Sequence, residues 1–160
     1  MINIRYGEGD AKGFDGKPVK ISPSVALFRK GPALPVVLMP HPAFAQALQA
    51  AGKPIPAPVQ GLALIDTGAT TTCIDGESAK SMGLAANGLA RMASASHTSS
   101  DCLTYPVQLA FPVWNLQLEC AKAMGVRIKN QGFIVLVGRD LLQNCVMLYN
   151  GADGAVTLAL

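Results

Sequence analysis

The sequence predicts an all-β domain with two or three short helices. Its apolar residues come in short runs, such as Gly61–Ile65, Leu103–Phe111, Trp114–Ala121 and Phe133–Val137, separated by stretches rich in Gly, Pro, Asn, Asp and Ser. One longer stretch, Pro42–Ala51, has helical spacing instead, with Phe44, Ala47, Leu48 and Ala51 on one face. The chain has 160 residues, half of them hydrophobic, which suits one domain with a real core. Only 14% are charged, well below the usual ~25%. That excludes intrinsic disorder and points to surface that is covered in the working state, as by another subunit.

Residues 1–20, rich in Gly, Asp and Lys, read as a flexible or turn-rich arm, and 21–160 as a single domain. Ser24–Phe28 and Leu34–Met39 read as two strands of a hairpin around a turn at 29–32. The helix over Pro42–Ala51 starts on a proline and stops at Gly52. Lys53–Pro58, with three prolines, is an extended connector. Gly61–Ile65 is a buried strand that ends abruptly at Asp66-Thr67-Gly68, and β character resumes over Thr70–Ile74. Asp75 is placed to cap a short helix that Gly83 stops. Strands follow at Leu103–Phe111, Trp114–Ala121 and Phe133–Val137; the small, polar run Ala93–Ser100 is a loop or hairpin tip. A second short helix spans Gly138–Gln143, and Cys145–Tyr149 and Val156–Leu160 close the chain as strands.

A net charge of +3, with no Lys/Arg cluster, argues against nucleic acid as a partner. Lys17, Lys20, Arg29 and Lys30 read as a solvated face. The four cysteines form no C-x-x-C pair and have no ligand spacing to His41 or His97, so no metal and no cofactor are expected. They read as free thiols in a reducing compartment. The most apolar stretch, 32–51, is broken by prolines and polar residues, so no membrane span is expected, and the expected location is cytoplasmic.

The chemistry-bearing segment is Leu64-Ile65-Asp66-Thr67-Gly68-Ala69. A carboxylate at the end of a buried strand is costly unless it is hydrogen-bonded or has a task. Gly68 lets the backbone come close to it, and Thr67 supplies a hydroxyl on a stiff stem. The plain alternative is an Asx-type turn at a strand end.

Two blocks in order make the case stronger. Ala63-Leu64-Ile65-Asp66-Thr67-Gly68-Ala69-Thr70 resembles the catalytic block of the retropepsin-like aspartic proteases, the single-domain, dimeric relatives of pepsin. Ile134-Val135-Leu136-Val137-Gly138-Arg139-Asp140-Leu141-Leu142 resembles that family's second block, an apolar strand, a glycine and a Gly-Arg-Asp/Asn helix start. Gly138 follows Gly68 by 70 positions, room for a helix, a flap hairpin and two further strands. The resemblance, to a bacterial-type member, runs from about Gly61 onward. The first 60 residues exceed what the compact viral members carry before their aspartate.

The resemblance implies a closed, β-barrel-like domain with a flap hairpin and two or three short helices. It implies Asp66 as the catalytic acid, working as one of a pair that shares a proton. Thr67 would brace the loop across a dimer axis, the Gly68 N–H would hold the carboxylates coplanar, and Gly138 and Arg139 would support the loop. Ala69 and Thr70 would line the substrate channel, and Ala95, Ser96 and His97 would belong to the flap tip. His97 is a candidate substrate or pH element, with a solvated loop histidine as the plain alternative. Only one Asp-Thr-Gly occurs, so the second aspartate would come from an identical subunit in a C2 homodimer. The chain ends, Val156–Leu160 in particular, are expected at that interface.

Two departures stand out. Thr70 occupies a position where many viral members carry an acid that receives the arginine, so the partner of Arg139 is open. The flap run has no Tyr and few glycines. The expected function is an aspartic endopeptidase acting on extended peptide or protein substrates. The alternatives are a non-proteolytic peptide-binding or regulatory module on the same fold, and a peptidase for one cognate partner only.

Overall fold

β-branched and apolar residues at alternate positions build the centre of the molecule. In the computed structural model, which describes residues 1–12, 15–94 and 97–159, six strands close into a barrel. They are β4 (Ala33–Pro40), β5 (Val59–Ile65), β10 (Val135–Val137), β6 (Cys73–Asp75), β9 (Leu116–Val126) and β8 (His97–Phe111). The order is β4-β5-β10-β6-β9-β8, and β8 pairs back onto β4. β7 (Gly88–Ser94) extends beyond the ring as the hairpin partner of β8. Leu34, Val36 and Leu38 of β4, Ala63 and Ile65 of β5, Val107 and Leu109 of β8 and Val135 and Val137 of β10 fill the interior. Each large aliphatic side chain buried in this way contributes about 1.5–3 kcal/mol.

The helices are short. α2 (Pro42–Ala50) forms where its spacing predicts. α3 (Gly76–Ser81) is capped by Asp75, whose buried Oδ2 accepts from Ser78 N at 2.9 Å and Ser78 Oγ at 2.8 Å. Replacing Asp75 with Ala should cost about 2 kcal/mol or more, because a cap is lost and buried donors are orphaned; urea unfolding checks this. α4 (Arg139–Leu142) follows β10 directly.

Ser24–Phe28 is not a strand. It lies in α1 (Pro23–Lys30), so the expected hairpin with Leu34–Met39 is absent. The Ser22 hydroxyl accepts from Val25 N, Pro23 starts the helix, and Arg29 and Lys30 sit in its last turn where the helix dipole favours them. These end signals outweigh a five-residue apolar run. β4 pairs instead with β5 and β8.

Residues 1–20 also differ from the loose arm that their composition suggests. β1 (Ile2–Arg5) alternates buried Ile2 and Ile4 with exposed Asn3 and Arg5, and it pairs with β12 (Ala155–Ala159). β2 (Gly9–Lys12) and β3 (Pro18–Ile21) form a small hairpin. β12 pairs on its other side with β11 (Val146–Asn150), so the terminal sheet has the order β1-β12-β11. Its Ile2, Ile4, Val156 and Leu158 join the main core.

Two boundaries move for local reasons. Trp114 falls in a single 3₁₀ turn, Pro112–Trp114, ahead of β9. Of Thr70–Ile74, only Cys73 and Ile74 pair as strand. Among the described residues, no helix is long and apolar enough to cross a membrane.

Candidate functional site

The period of β5 places Asp66. Ala63 and Ile65 point into the barrel, so Leu64 and then Asp66 emerge on the outer face. β10 runs parallel beside it, with Val135, Leu136 and Val137 opposite Ala63, Leu64 and Ile65. Asp66 N extends this ladder by donating to Val137 O at 3.0 Å. The chain then turns sharply, and Asp66 Oδ1 accepts from Gly68 N at 2.9 Å and Ala69 N at 3.3 Å. A Cβ at position 68 would lie 3.1 Å from that oxygen, so glycine suits the close approach. Among the described residues no donor reaches Asp66 Oδ2. One carboxylate oxygen is fixed by the backbone, and the other is available to water, a substrate or a second carboxylate.

The second block closes on this loop from the far end of the chain. Gly138 sits where a Cβ would be 2.6 Å from Thr71 C and 2.8 Å from Thr72 N. Its N–H donates to Thr72 Oγ1 at 3.1 Å. Arg139 N donates to Ala69 O and Asp140 N to Thr70 O. The Arg139 guanidinium spans the turn: Nη1 donates to Thr67 O at 2.7 Å and to Gly68 O at 3.2 Å, and Nη2 to Thr70 Oγ1 at 2.8 Å. The open question of its partner is answered by two loop carbonyls and the threonine that stands where an acid was looked for. Replacing Arg139 with Lys keeps the charge but removes the planar fork. The expected result is a loss of about 1 kcal/mol, read by thermal unfolding, with faster amide exchange at residues 67–70.

Asp140 is a positioning residue that sequence reasoning noted only as part of a helix start. Its carboxylate accepts from Thr72 N at 2.9 Å and from Thr72 Oγ1 at 2.7 Å, and Leu141 N donates to it at 3.0 Å. The bonds from Thr72 N and to Thr70 O take up backbone groups that a ladder would otherwise use, so β6 starts only at Cys73. An acid opening a helix, with a threonine run upstream in the chain, is the signal that was available.

Thr67 and Thr70 are exposed and Ala69 is half-buried beside Asp66. Ala95 and Ser96 lie outside the described residues. The run 93–100, expected as a loop or hairpin tip, is mostly strand: residues 93 and 94 end β7 and residues 97–100 open β8, with His97 paired with Ser94 near the end of the hairpin.

A cleft of about 800 Å³ lies between that hairpin and the β6–β10 face. Cys73, Leu136, Met92, Cys102 and Leu103 line it, with charged Glu77, Lys80, Asp101 and Arg127 also on its walls. Leu136 and Cys73 are register neighbours, and Leu136 is opposite Leu64, two residues before Asp66. The cleft thus borders β10, the strand beside β5, while Asp66 and its loop are not among the residues that line it. Burial pushes the Cys73 thiol up to about 11, and Cys102, Asp140 and Asp66 nearby add to the effect. Burial likewise pushes Cys120 up to about 12. Both thiols are therefore protonated at neutral pH and poor nucleophiles.

Compared with protein-family models, with curated proteins and with solved structures, the chain matches none of them.

Proposed function

We propose that the chain is one half of a homodimeric aspartic endopeptidase of the retropepsin-like type. The observation that carries the reading is the meeting of the two blocks. Asp66 stands at a strand end with Oδ1 fixed by Gly68 N–H, and Gly138, Arg139 and Asp140 fasten the same loop from 70 residues away. A turn that only reverses the chain has no need of this many constraints around a half-buried carboxylate.

In this reading the two Asp66 carboxylates face each other across the two-fold axis and hold one proton between them, since two adjacent carboxylates do not both ionise cheaply. The ionised member takes a proton from water, whose oxygen attacks the scissile carbonyl carbon. The protonated member donates a hydrogen bond to the carbonyl oxygen as charge builds there. The tetrahedral intermediate then breaks its C–N bond as a proton passes from the dyad to the leaving amine. No acyl-enzyme forms. An extended peptide would lie as an added strand beneath the β7–β8 hairpin, its alternate side chains directed to the cleft of Cys73, Leu136 and Met92. The four cysteines are unpaired, which suits a reducing, cytoplasmic setting.

The test is incubation of the chain with a diverse peptide pool between about pH 4 and pH 8, the range open to a carboxylate dyad, in water enriched in heavy oxygen. Cleavage with label in the new carboxyl termini is expected. Peptide binding without cleavage at any pH would instead favour a non-proteolytic peptide-binding module.

A further inference from the structure

The charge of the chain is unevenly placed. Residues 1–32 carry six basic and three acidic side chains, and residues 33–160 carry seven of each, so the whole excess of +3 sits in the first fifth of the sequence. Asp10 and Asp15 are taken up by Lys20 at 3.0 Å and Lys17 at 3.7 Å. Arg29 and Lys30, exposed in the last turn of α1, have no carboxylate within 4.0 Å among the described residues. They stand on the rim of a groove of about 490 Å³, and among the described residues no acid lines it. Its floor is apolar, made by Tyr6, Ala33, Leu62 and Phe133. The Tyr6 ring is fixed there: its hydroxyl donates to Gly31 O at 2.7 Å and accepts from Ala33 N at 3.4 Å, and Lys30 Nζ lies 5.8 Å from the ring centroid. Leu62 is 42% exposed, although Ala63 and Ile65 on the other face of the same strand are buried.

We infer that this groove binds an acidic segment of a protein substrate. An apolar side chain of that segment lies on Leu62 and Phe133, and a neighbouring carboxylate is held by Arg29 and Lys30. The inference rests on the peptidase reading and gives it a substrate class: extended peptides with Asp or Glu beside an apolar residue, a few residues from the bond that is cut. Three observations favour this occupant. A guanidinium and an ammonium without a partner attract a carboxylate, and a basic segment would meet only like charge. A concave site with an apolar floor and a polar rim suits an inserted side chain, whereas a flat lipid surface would leave the floor unfilled. Leu62 and Asp66 also share the outer face of β5, four residues apart, which is about 13 Å along the strand. Asp66 does not line the groove, but an extended peptide covers that span in about four residues. One peptide can therefore fill the groove and reach the carboxylate. Tyr6, Arg29, Lys30 and Ala33 all come from the part of the chain that precedes the two blocks, so that part contributes binding as well as packing.

The experiment measures binding apart from cleavage, on the Asp66→Asn chain, by fluorescence anisotropy. The probes are two labelled extended peptides that differ only in Glu-Glu against Gln-Gln beside a Phe. The acidic peptide should bind at least about 10-fold more tightly at low salt, and the preference should shrink as salt rises. It should vanish in an Arg29→Gln/Lys30→Gln variant of that chain. It should persist in a Lys17→Gln/Lys20→Gln variant, because those lysines do not line the groove. Amide exchange at residues 29–31 and 131–133 should slow when the acidic peptide is added, which locates the site even if a variant does not fold. Equal affinity for the two peptides, a preference that survives loss of Arg29 and Lys30, or unchanged exchange at those amides would each overturn the inference. So would binding through Arg29 and Lys30 to vesicles of anionic lipid in place of the peptide. Asp66-dependent cleavage by the wild type with no preference for acidic peptides would overturn the inference and leave the peptidase reading intact. Acid-dependent binding at the groove with no Asp66-dependent cleavage would contradict the peptidase reading and leave the binding site standing.

Discussion

Replacing Asp66 with Asn should reduce peptide cleavage by at least about 1,000-fold while leaving the chain folded and dimeric. Asn is nearly isosteric, and its side-chain oxygen can still accept from Gly68 N and Ala69 N, the two donors that hold Asp66 Oδ1. The loop therefore keeps its shape, and Arg139 keeps the Thr67 and Gly68 carbonyls as acceptors. In the proposed mechanism, what is lost is a group that can both ionise and carry the shared proton. Initial rates on a peptide pool, followed by mass spectrometry, read the loss; sedimentation reads the intact dimer. Undiminished cleavage by the variant would remove Asp66 from the chemistry.

Gly138→Ala is expected to have the largest effect on stability of any substitution near the site, about 3 kcal/mol or more. The added methyl would fall within 2.8 Å of backbone atoms of Thr71 and Thr72, including Thr71 C at 2.6 Å. No rotamer change relieves contacts with backbone on a neighbouring segment. To make room, Gly138 must withdraw from Thr72 Oγ1, and α4 must move with it, carrying Arg139 and Asp140 off the loop. Stability and cleavage should therefore fall together. Gly7→Ala is the matched control, since a Cβ there meets no atom within 4 Å, and it should change stability by less than about 1 kcal/mol. Denaturant unfolding of both variants decides the point.

The parts of the fold that were legible in the sequence are those written in local residues. A buried strand that ends on Asp66 is legible because apolar residues stop at one position. The cap at Asp75 and the stop at Gly52 are legible for the same reason. α1 was missed because five apolar-rich residues fit either period, and the deciding signals, Ser22 and Pro23, lie outside the run. β1 was missed because only Ile2 and Ile4 mark it and its partner, β12, is some 150 residues away. At the site, Asp66, Gly68, Gly138 and Arg139 were singled out through the resemblance of their two blocks, and the fold brings those blocks together. Which acceptors Arg139 takes, and that Asp140 holds Thr72, depends on how a turn and a helix start meet across about 70 residues. The cleft was likewise out of reach, since Cys73, Met92 and Leu136 become neighbours only once the barrel closes.

The central claim is that each chain carries half of one site. Mixing wild-type chains with Asp66→Asn chains, after dissociation and reassociation at fixed total concentration, tests it most directly. If two copies of Asp66 are needed and subunits pair at random, activity follows the square of the wild-type fraction. An equal mixture then retains about a quarter of the activity of an all-wild-type sample. Activity that falls in direct proportion to the wild-type fraction, to about one half in the equal mixture, would mean that each chain acts with its own Asp66 alone, and would contradict the account.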